Sequence, residues 1–344
     1  MIRTITALDL GSSNIRACTA SINSQGQLKL LALERMPSSG ISHGGVVDFD
    51  AATSDILRMT KALEKKARRK IRHISLALSD ADFNGFIANG MIALSARPRP
   101  IQMRDIVRCK KIAGFVQVPI DRQVVQKELH SFFINDGEKV RNPLGLNATK
   151  LSLNLYVVTG ETSKLMNLQN VVEHAGYILD EMVFSGYATA HAIFANAQTE
   201  ERTAILDIGS HVTNITVVED GALKYINSIQ EGADDISDKS SMIPFFNEVK
   251  NLITTSSLPR LVITGGGVLK EGFLEIAEKC LGVQCEVGQA RLNWCSLNPA
   301  DTFLHTASLG LIAYKAKKLS REPWQLDPIK RPFHFLASML DSYF

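Results

Sequence analysis

A strand that breaks into a tight turn at a carboxylate occurs twice in this chain, and this duplication constrains the fold more than any other feature. In residues 4–18 an apolar strand runs into a turn that begins at Asp9, and a second strand leaves it. Residues 203–218 repeat the apolar strand, the Asp-x-Gly-Ser turn beginning at Asp207, and the alternating strand that follows. The chain therefore contains two equivalent hairpins, each with an aspartate beside its turn.

Each turn offers groups that can face an anion. Gly11 lets backbone or ligand approach closely, and two hydroxyls and successive N–H groups follow it. A single turn of this kind is typical of an ordinary hairpin, but the duplication and a third element favour a phosphate site. That element is a strand at 261–268 that runs into three glycines. The candidate nucleotide-binding residues are Asp9, Gly11, Ser12, Ser13, Asp207, Gly209, Ser210, His211, Gly265, Gly266 and Gly267.

Two carboxylate hairpins and a strand with a glycine-rich turn predict an α/β chain with the actin-like (ribonuclease H-like) two-domain ATPase fold, in which two halves close on a nucleotide. With 344 residues, 45% of them hydrophobic, the chain is long enough for two domains with cores of their own. The net charge of +3 creates no strong field, so we expect no nucleic-acid partner. Five cysteines without a CxxC pair favour a reduced, cytosolic protein with neither disulfides nor a zinc site.

Residues 80–158 differ in character from the sequence on either side and predict an inserted α+β subdomain in the first half. Their pattern favours strands at 83–94, 124–134 and 151–158 and a helix at 103–113. The expected division is a first actin-like domain at 1–79 and 159–200, an inserted interaction subdomain at 80–158, a second actin-like domain at 201–319, a linker at 320–332 and a terminal helix at 333–344.

The last twelve residues follow a linker with three prolines and predict an amphipathic helix. Its apolar residues are Phe333, Leu336, Met339, Leu340, Tyr343 and Phe344. Only Lys330 and Arg331 flank it with positive charge. The spacing alone leaves two alternatives open, because such a helix either docks on the protein's own core or lies in a membrane interface.

The order of several widely spaced motifs resembles the FtsA family of bacterial actin-like cell division proteins. These motifs are the two hairpins, GGVVD at 44–48, RNPLG at 141–145, EHAG at 173–176, the three-glycine turn and a helix at 307–313. The resemblance implies a peripheral membrane protein, with a cytosolic pool, that tethers the division (Z) ring to the cytoplasmic side of the cell membrane. It also implies ATP with Mg as ligand, an FtsZ-type ring protein as partner, self-association through the inserted subdomain, and a terminal helix on an anionic membrane surface.

Two departures from the family pattern modify these expectations. Ser210 and His211 replace glycines that let phosphate approach, and Asn214 lacks the charge that would help to hold a metal-bound water. Between about 232 and 260 the family carries a further subdomain that closes over the nucleobase and receives the FtsZ tail. Here we expect only a polar linker at 234–241 and a short helix at 245–252. ATP binding is therefore expected to be weak or lost, with no catalytic residue, and direct FtsZ contact is in question.

Two other functions of the same fold remain as alternatives. An actin-fold ATP-dependent kinase would need a catalytic carboxylate in the cleft, but the Ser-Gly pair at 185–186 carries none. A type IV pilus assembly scaffold would share the core and the insertion, but it is not expected to end in a free amphipathic helix.

Overall fold

The computed structural model describes residues 3–135, 137–194, 201–236, 238–253 and 260–321. The predicted membrane residues Phe333, Leu336, Met339, Leu340, Tyr343 and Phe344 lie outside this part of the chain, as does nearly all of the predicted linker.

The first seven elements are β1 (Arg3–Leu10), β2 (Asn14–Ile22), β3 (Leu28–Pro37), β4 (Ile41–Ser42), β5 (Gly45–Val46), α1 (Phe49–Ala67) and β6 (His73–Leu78). The inserted region contains β7 (Asn84–Ala93), β8 (Arg99–Pro100), α2 (Met103–Gly114), β9 (Arg122–Ile134), β10 (Glu138–Val140), β11 (Asn147–Ala148) and β12 (Lys150–Glu161). It is followed by α3 (Thr162–His174), β13 (Ile178–Phe184) and α4 (Ser185–Ile193).

The second half contains β14 (Thr203–Ile208), β15 (Thr213–Glu219), β16 (Ala222–Ile229), α5 (Lys239–Ile253), β17 (Arg260–Gly265), a 3-10 turn (Gly266–Leu269), α6 (Phe273–Leu281), β18 (Cys285–Val287), α7 (Pro299–Leu304) and α8 (Thr306–Arg321).

Two five-stranded sheets repeat one topology. The first has the order β13-β6-β1-β2-β3 and the second the order β16-β15-β14-β17-β18. In each sheet the central strand pairs antiparallel with the strand across its hairpin and parallel with the strand on its other side. β1 and β14 are almost continuously buried, because central strands of this kind are covered on both faces. The equivalent hairpins therefore occupy equivalent places in two similar sheets.

The inserted region forms a separate antiparallel sheet with the order β10-β9-β12-β7. Ala88 and Ile92 of β7 are buried with Cys109 and Ala113 of α2 in one apolar cluster. Gly90 makes the close packing of α2 on β7 possible, since a Cβ at this position would lie 2.6 Å from the Cys109 carbonyl oxygen. The sheet thus buries one face under α2 and leaves the other face of β7 exposed.

Helix α8 packs against α4 beside the first sheet. A Cβ at Gly310 would lie 1.9 Å from the Ala188 carbonyl oxygen, so only glycine allows this approach. Lys315 of α8 donates to Ser75 Oγ over 2.8 Å and pairs with Asp180. The contacts with Ser75 and Asp180 fix the last turns of α8 against β6 and β13.

The sequence pattern predicts helices at 167–175 and 188–197, and the two corresponding helices, α3 and α4, begin earlier. α3 begins at Thr162 and not at 167, because Leu165 extends the buried stripe of Leu168 and Val172 by one turn. α4 begins at Ser185 and not at 188, and residues 195–197 of its predicted range lie outside the described chain.

The prediction of a polar linker at 234–241 was wrong. α5 already begins at Lys239, and the Asp238 carboxylate accepts a hydrogen bond from the Ser241 backbone N–H over 2.9 Å. Residues 232–235 form a turn that hydrogen-bonds to the second hairpin. Polar composition concealed both features, because the same residue types favour linkers, turns and helix caps.

Candidate functional site in the interdomain cleft

Both hairpins place an aspartate at one cavity between the two halves. Asp9 and Asp207 are the next-to-last residues of β1 and β14, and each residue is 9% exposed. The cavity has a volume of about 50 Å³. Nine of the predicted nucleotide-binding residues line it: Asp9, Gly11, Ser12, Asp207, Gly209, Ser210, His211, Gly265 and Gly266.

The two remaining predicted residues lie beside the cavity. The Ser13 hydroxyl donates to the Asp234 carboxylate over 2.9 Å. Gly267 packs against Ile208, whose Cγ2 would lie 2.6 Å from a Cβ at this position. Ser13 and Gly267 therefore support the walls of the cavity without lining it.

The three glycines at the end of β17 differ in what the backbone requires of them. Gly265 has a φ of +88°, and a Cβ there would lie 2.4 Å from the Ile208 carbonyl oxygen. A Cβ at Gly266 would meet no atom within 4 Å. Gly265 is therefore fixed by backbone geometry, while Gly266 faces open space at the cavity.

Among the described residues that line this cavity, Arg16 is the one lysine or arginine, and the candidate residues predicted from the sequence do not include it. In the first hairpin Arg16 lies directly opposite Asp9, and Nη1 is 3.6 Å from the Asp9 carboxylate. In the second hairpin the residue opposite Asp207 is Asn214. The equivalence of Arg16 and Asn214 can be seen in the sequence, because each lies seven positions after the aspartate of its hairpin.

The electrostatics of the cavity are set by two buried carboxylates. Burial raises the pKa of Asp9 to about 6, with Arg16 opposing the shift and the neighbouring Asp207 charge adding to it. Burial also raises the pKa of Asp207, although a hydrogen bond from Thr189 over 2.8 Å and the Arg16 charge lower it. Burial and the charge of Arg16 lower the pKa of His305 to about 4, so this histidine is neutral at neutral pH. The positive charge of Arg16 thus lies beside two carboxyl groups, those of Asp9 and Asp207.

A turn at residues 232–235 covers the loop of the second hairpin. The backbone N–H groups of Ala233 and Asp234 donate to the carbonyls of Gly209 and Ser210 over 2.7 and 2.9 Å. His211 Nδ1 is 2.9 Å from the Asp235 carboxylate. The turn therefore binds two carbonyls of the second hairpin loop and the His211 ring.

Two hydrogen bonds and one ring stack cross the mouth of the cleft. The Ser13–Asp234 hydrogen bond is the first, and the second runs from Asn214 Nδ2 to Ser79 Oγ over 2.9 Å. The rings of His43 and His211 stack with centroids 5.1 Å apart. Each contact joins one hairpin to a loop of the other half at the mouth of the cleft.

This closed arrangement does not fit a nucleoside triphosphate with a metal ion. Ligand pockets usually have volumes of about 300–1,000 Å³, whereas this cavity measures about 50 Å³. Nucleotide would enter only after the contacts across the cleft have separated.

Comparison with known proteins confirms the resemblance to FtsA. A family described as "SHS2 domain inserted in FTSA" matches residues 81–159. Cell division protein FtsA of Borreliella burgdorferi is 25% identical over 68% of this chain and 56% of its own length. FtsA of Escherichia coli K12 is 23% identical over 65% of this chain and 53% of its own length. The chain spans about half the length of the curated relatives it matches.

Similar solved structures confirm the actin-like fold. The chain titled "PilM-PilN type IV pilus biogenesis complex" has a TM-score of 0.65 at 14% identity, covering 91% of this chain and 98% of that chain. MreB5 of Spiroplasma citri bound to ADP has a TM-score of 0.51 at 10% identity, covering 92% of this chain and 98% of that chain.

Among the helices of the described residues, none has the length and hydropathy to cross a bilayer.

Replacing Asp9 with Asn should change how stability depends on pH. The pKa of Asp9 is raised in the folded protein, so its contribution is fully present below the unfolded value of 3.8 and is lost as pH rises through about 6. Relative to Asp9→Asn, the wild type should lose on the order of 3 kcal/mol of unfolding free energy between pH 4 and 7. Urea unfolding at a series of pH values measures this difference. Asp105→Asn is the control. The Arg99 ion pair lowers the pKa of Asp105 to about 2, so the contribution of Asp105 to the unfolding free energy should stay nearly constant over this pH range. If the difference in unfolding free energy between wild type and Asp9→Asn is also constant, the electrostatic description is wrong.

Breaking the contacts across the cleft should strengthen nucleotide binding. Wild-type protein should show no saturable binding of ATP with Mg below about 1 mM, an affinity of ~4 kcal/mol, because the cleft must open first. A Ser79→Ala, His43→Ala, Asp234→Ala variant removes one partner of each contact and should bind at least about tenfold more tightly. Calorimetry measures both affinities.

The matched control is His73→Ala with Asn89→Ala, which removes a histidine–aspartate pair and an amide hydrogen bond away from the cleft. Tight binding by the wild type, or steady ATP turnover abolished by Asp207→Ala, would contradict the prediction.

Proposed function

We propose that this FtsA-like protein with an actin-like fold acts in cell division as a peripheral membrane scaffold that assembles and tethers the division (Z) ring. Its proposed location is the cytoplasmic side of the cell membrane, and its proposed partner is an FtsZ-type ring protein. ATP with Mg is at most a weak ligand in this proposal, and the protein does not turn it over.

The observation that carries the proposal is the place of the inserted sheet. The chain leaves the first actin-like sheet after β6, forms the β10-β9-β12-β7 sheet, and returns through α3 to β13. This region matches the "SHS2 domain inserted in FTSA" family at residues 81–159. A division scaffold of the FtsA type combines such an insertion with an actin-like core.

The closed cleft supports a scaffold and not an enzyme. A phosphoryl-transfer site needs a positioned metal and a group that orients the nucleophile. Here Asp207 accepts a hydrogen bond from Thr189, and Arg16 supplies positive charge to both carboxylates. The cavity is therefore organised as part of the folded interior.

Membrane attachment is proposed for residues 333–344, which lie outside the described chain. One amphipathic segment of this length binds lipid reversibly. Lys330 and Arg331 add at most ~2 kcal/mol on an anionic surface, at about 1 kcal/mol for each basic residue. Persistent attachment then requires several linked copies, because avidity multiplies weak contacts.

Self-association is proposed to use the edge strand β7. Among the described residues β7 has no strand partner on its outer side, and Ile87 and Met91 are exposed on the face that α2 leaves uncovered. An unpaired edge with exposed apolar side chains is a template for pairing with another chain.

A type IV pilus assembly scaffold is the second candidate. The observation in its favour is coverage, since this chain matches 98% of the PilM-PilN structure's chain but only about half of each curated FtsA relative. A fluorescent fusion distinguishes the two: a band at the division site supports the division scaffold, while recruitment only where pili assemble supports the pilus scaffold.

Placing charge on the apolar face of the terminal segment should release the protein from membranes. Leu336→Glu with Met339→Glu should abolish flotation with anionic liposomes, because a buried carboxylate in the interface is costly. Ser338→Glu with Ser342→Glu adds the same charge to the polar side and should keep most of the wild type's flotation, losing at most ~2 kcal/mol to repulsion from the anionic surface. Thermal melts confirm that both variants are folded, and unchanged flotation of the first variant would overturn the membrane proposal.

Charges at the β7 edge should weaken self-association. Ile87→Lys with Met91→Lys should raise the concentration needed for assembly about tenfold, or ~1.4 kcal/mol, because like charges would meet between copies. Sedimentation velocity over a concentration series measures the shift. Ile243→Lys, an exposed isoleucine on α5, is the control; equal assembly by all three proteins would place the surface elsewhere.

A further inference from the structure

A second, much larger cleft opens on another side of the molecule from the hairpins. Its walls are the segment 114–120, strand β9, the exposed side of α3 and the last turns of α8. Its volume is about 2070 Å³, roughly twice the upper limit of about 1,000 Å³ for small-molecule pockets. A cleft of this size suits a chain segment better than a metabolite.

Large apolar side chains are exposed along this cleft. Ile120 is 92% exposed and Phe115 59% exposed, and Met166 and Leu129 follow with 47% and 40%. Exposed apolar residues scattered singly are normal, but a group of them within one concavity indicates a docking surface. The lining also contains seven Lys or Arg residues and three Asp or Glu residues, so its charge is net positive among the described residues.

The position of α8 identifies an occupant within the same chain. Tyr314, Lys317 and Lys318 of α8 line the cleft, and the described chain ends at Arg321, one turn later. Eleven residues separate Arg321 from Phe333, enough to span up to roughly 40 Å when extended. A twelve-residue helix is about 18 Å long. A linker of this length therefore allows residues 333–344 to reach the cleft from Arg321.

The composition of this segment also matches the cleft. Residues 333–344 contain Asp341 and no lysine or arginine, which complements the positive lining. Phe115 and Ile120 are largely exposed to solvent in the described chain. The apolar side chains of residues 333–344, with Leu336 and Met339 at the centre, would cover them.

We propose that residues 333–344 dock in this cleft within the same molecule and leave it to bind lipid. The same apolar face cannot be buried in the cleft and in lipid at once. The apparent membrane affinity is therefore the intrinsic affinity multiplied by the fraction of protein whose segment is undocked. The cleft is thus an autoinhibitory site for the terminal segment. The lipid-competition part rests on the proposed membrane function, whereas the docking itself does not.

Amide hydrogen exchange on the full chain without lipid tests the docking. Residues 114–131 should exchange several-fold faster in Leu336→Glu with Met339→Glu than in the wild type, because the charged segment no longer covers the cleft. Ser338→Glu with Ser342→Glu should leave their exchange unchanged. Equal exchange in the wild type and the apolar-face variant would overturn the proposal. Protection in the wild type that disappears on dilution would also overturn it, because the occupant would then be a second copy.

Liposome flotation tests the competition. Phe115→Glu with Ile120→Glu disrupts the cleft and should increase flotation several-fold, whereas Ile243→Glu on α5 should float like the wild type. No increase in the cleft variant would overturn autoinhibition. If none of these proteins floats, the membrane function fails, and hydrogen exchange alone still decides whether the segment docks.

Discussion

The pairing of Asp9 with Arg16 across the first hairpin is the interaction on which the closed cleft depends. Two aspartates at one small cavity would repel each other, and burial makes each charge more costly. Arg16 interacts with both carboxylates, while the second hairpin has the neutral Asn214 at the equivalent position. One guanidinium thus serves both hairpins, and the charges of the cavity are balanced by the chain's own side chains.

Closure of the cleft fixes the rest of the molecule. With the hairpins joined through Ser13, Asp234 and Asn214, the two sheets are held in one relative orientation. β9 and β16 contact each other in this arrangement, so the inserted sheet is braced by the second half. α8 packs on α4 and pairs with Asp180. Asp220, Gly221 and Ala222 of the second half line the wide cleft beside α8, so separating the hairpins would move this part of its wall.

The sequence predicted features that depend on local pattern. Alternation and apolar runs located the strands of both hairpins, and the three glycines marked a turn where Gly265 needs a positive φ. Arg16 was not predicted as a site residue, because a charged residue in a strand is usually exposed. The turn at 232–235 was not predicted either, because its polar residues show no hydrophobic periodicity. The contacts of Ser79 and Asp234 join residues more than 130 positions apart. Such contacts are consequences of the assembled fold and leave no local signal.

The two uses proposed for the terminal segment connect assembly to membrane binding. In a single molecule the cleft and lipid compete for the terminal segment. The short linker keeps the segment at a high effective concentration near the cleft, so a lone copy favours the docked state. When copies join through the β7 edge, each additional segment on the same membrane gains from those already bound, while docking in the cleft gains nothing from its neighbours. The balance therefore shifts toward lipid as the assembly grows. An actin-like scaffold of this kind would become membrane-bound through its assembly state, without nucleotide hydrolysis as the switch.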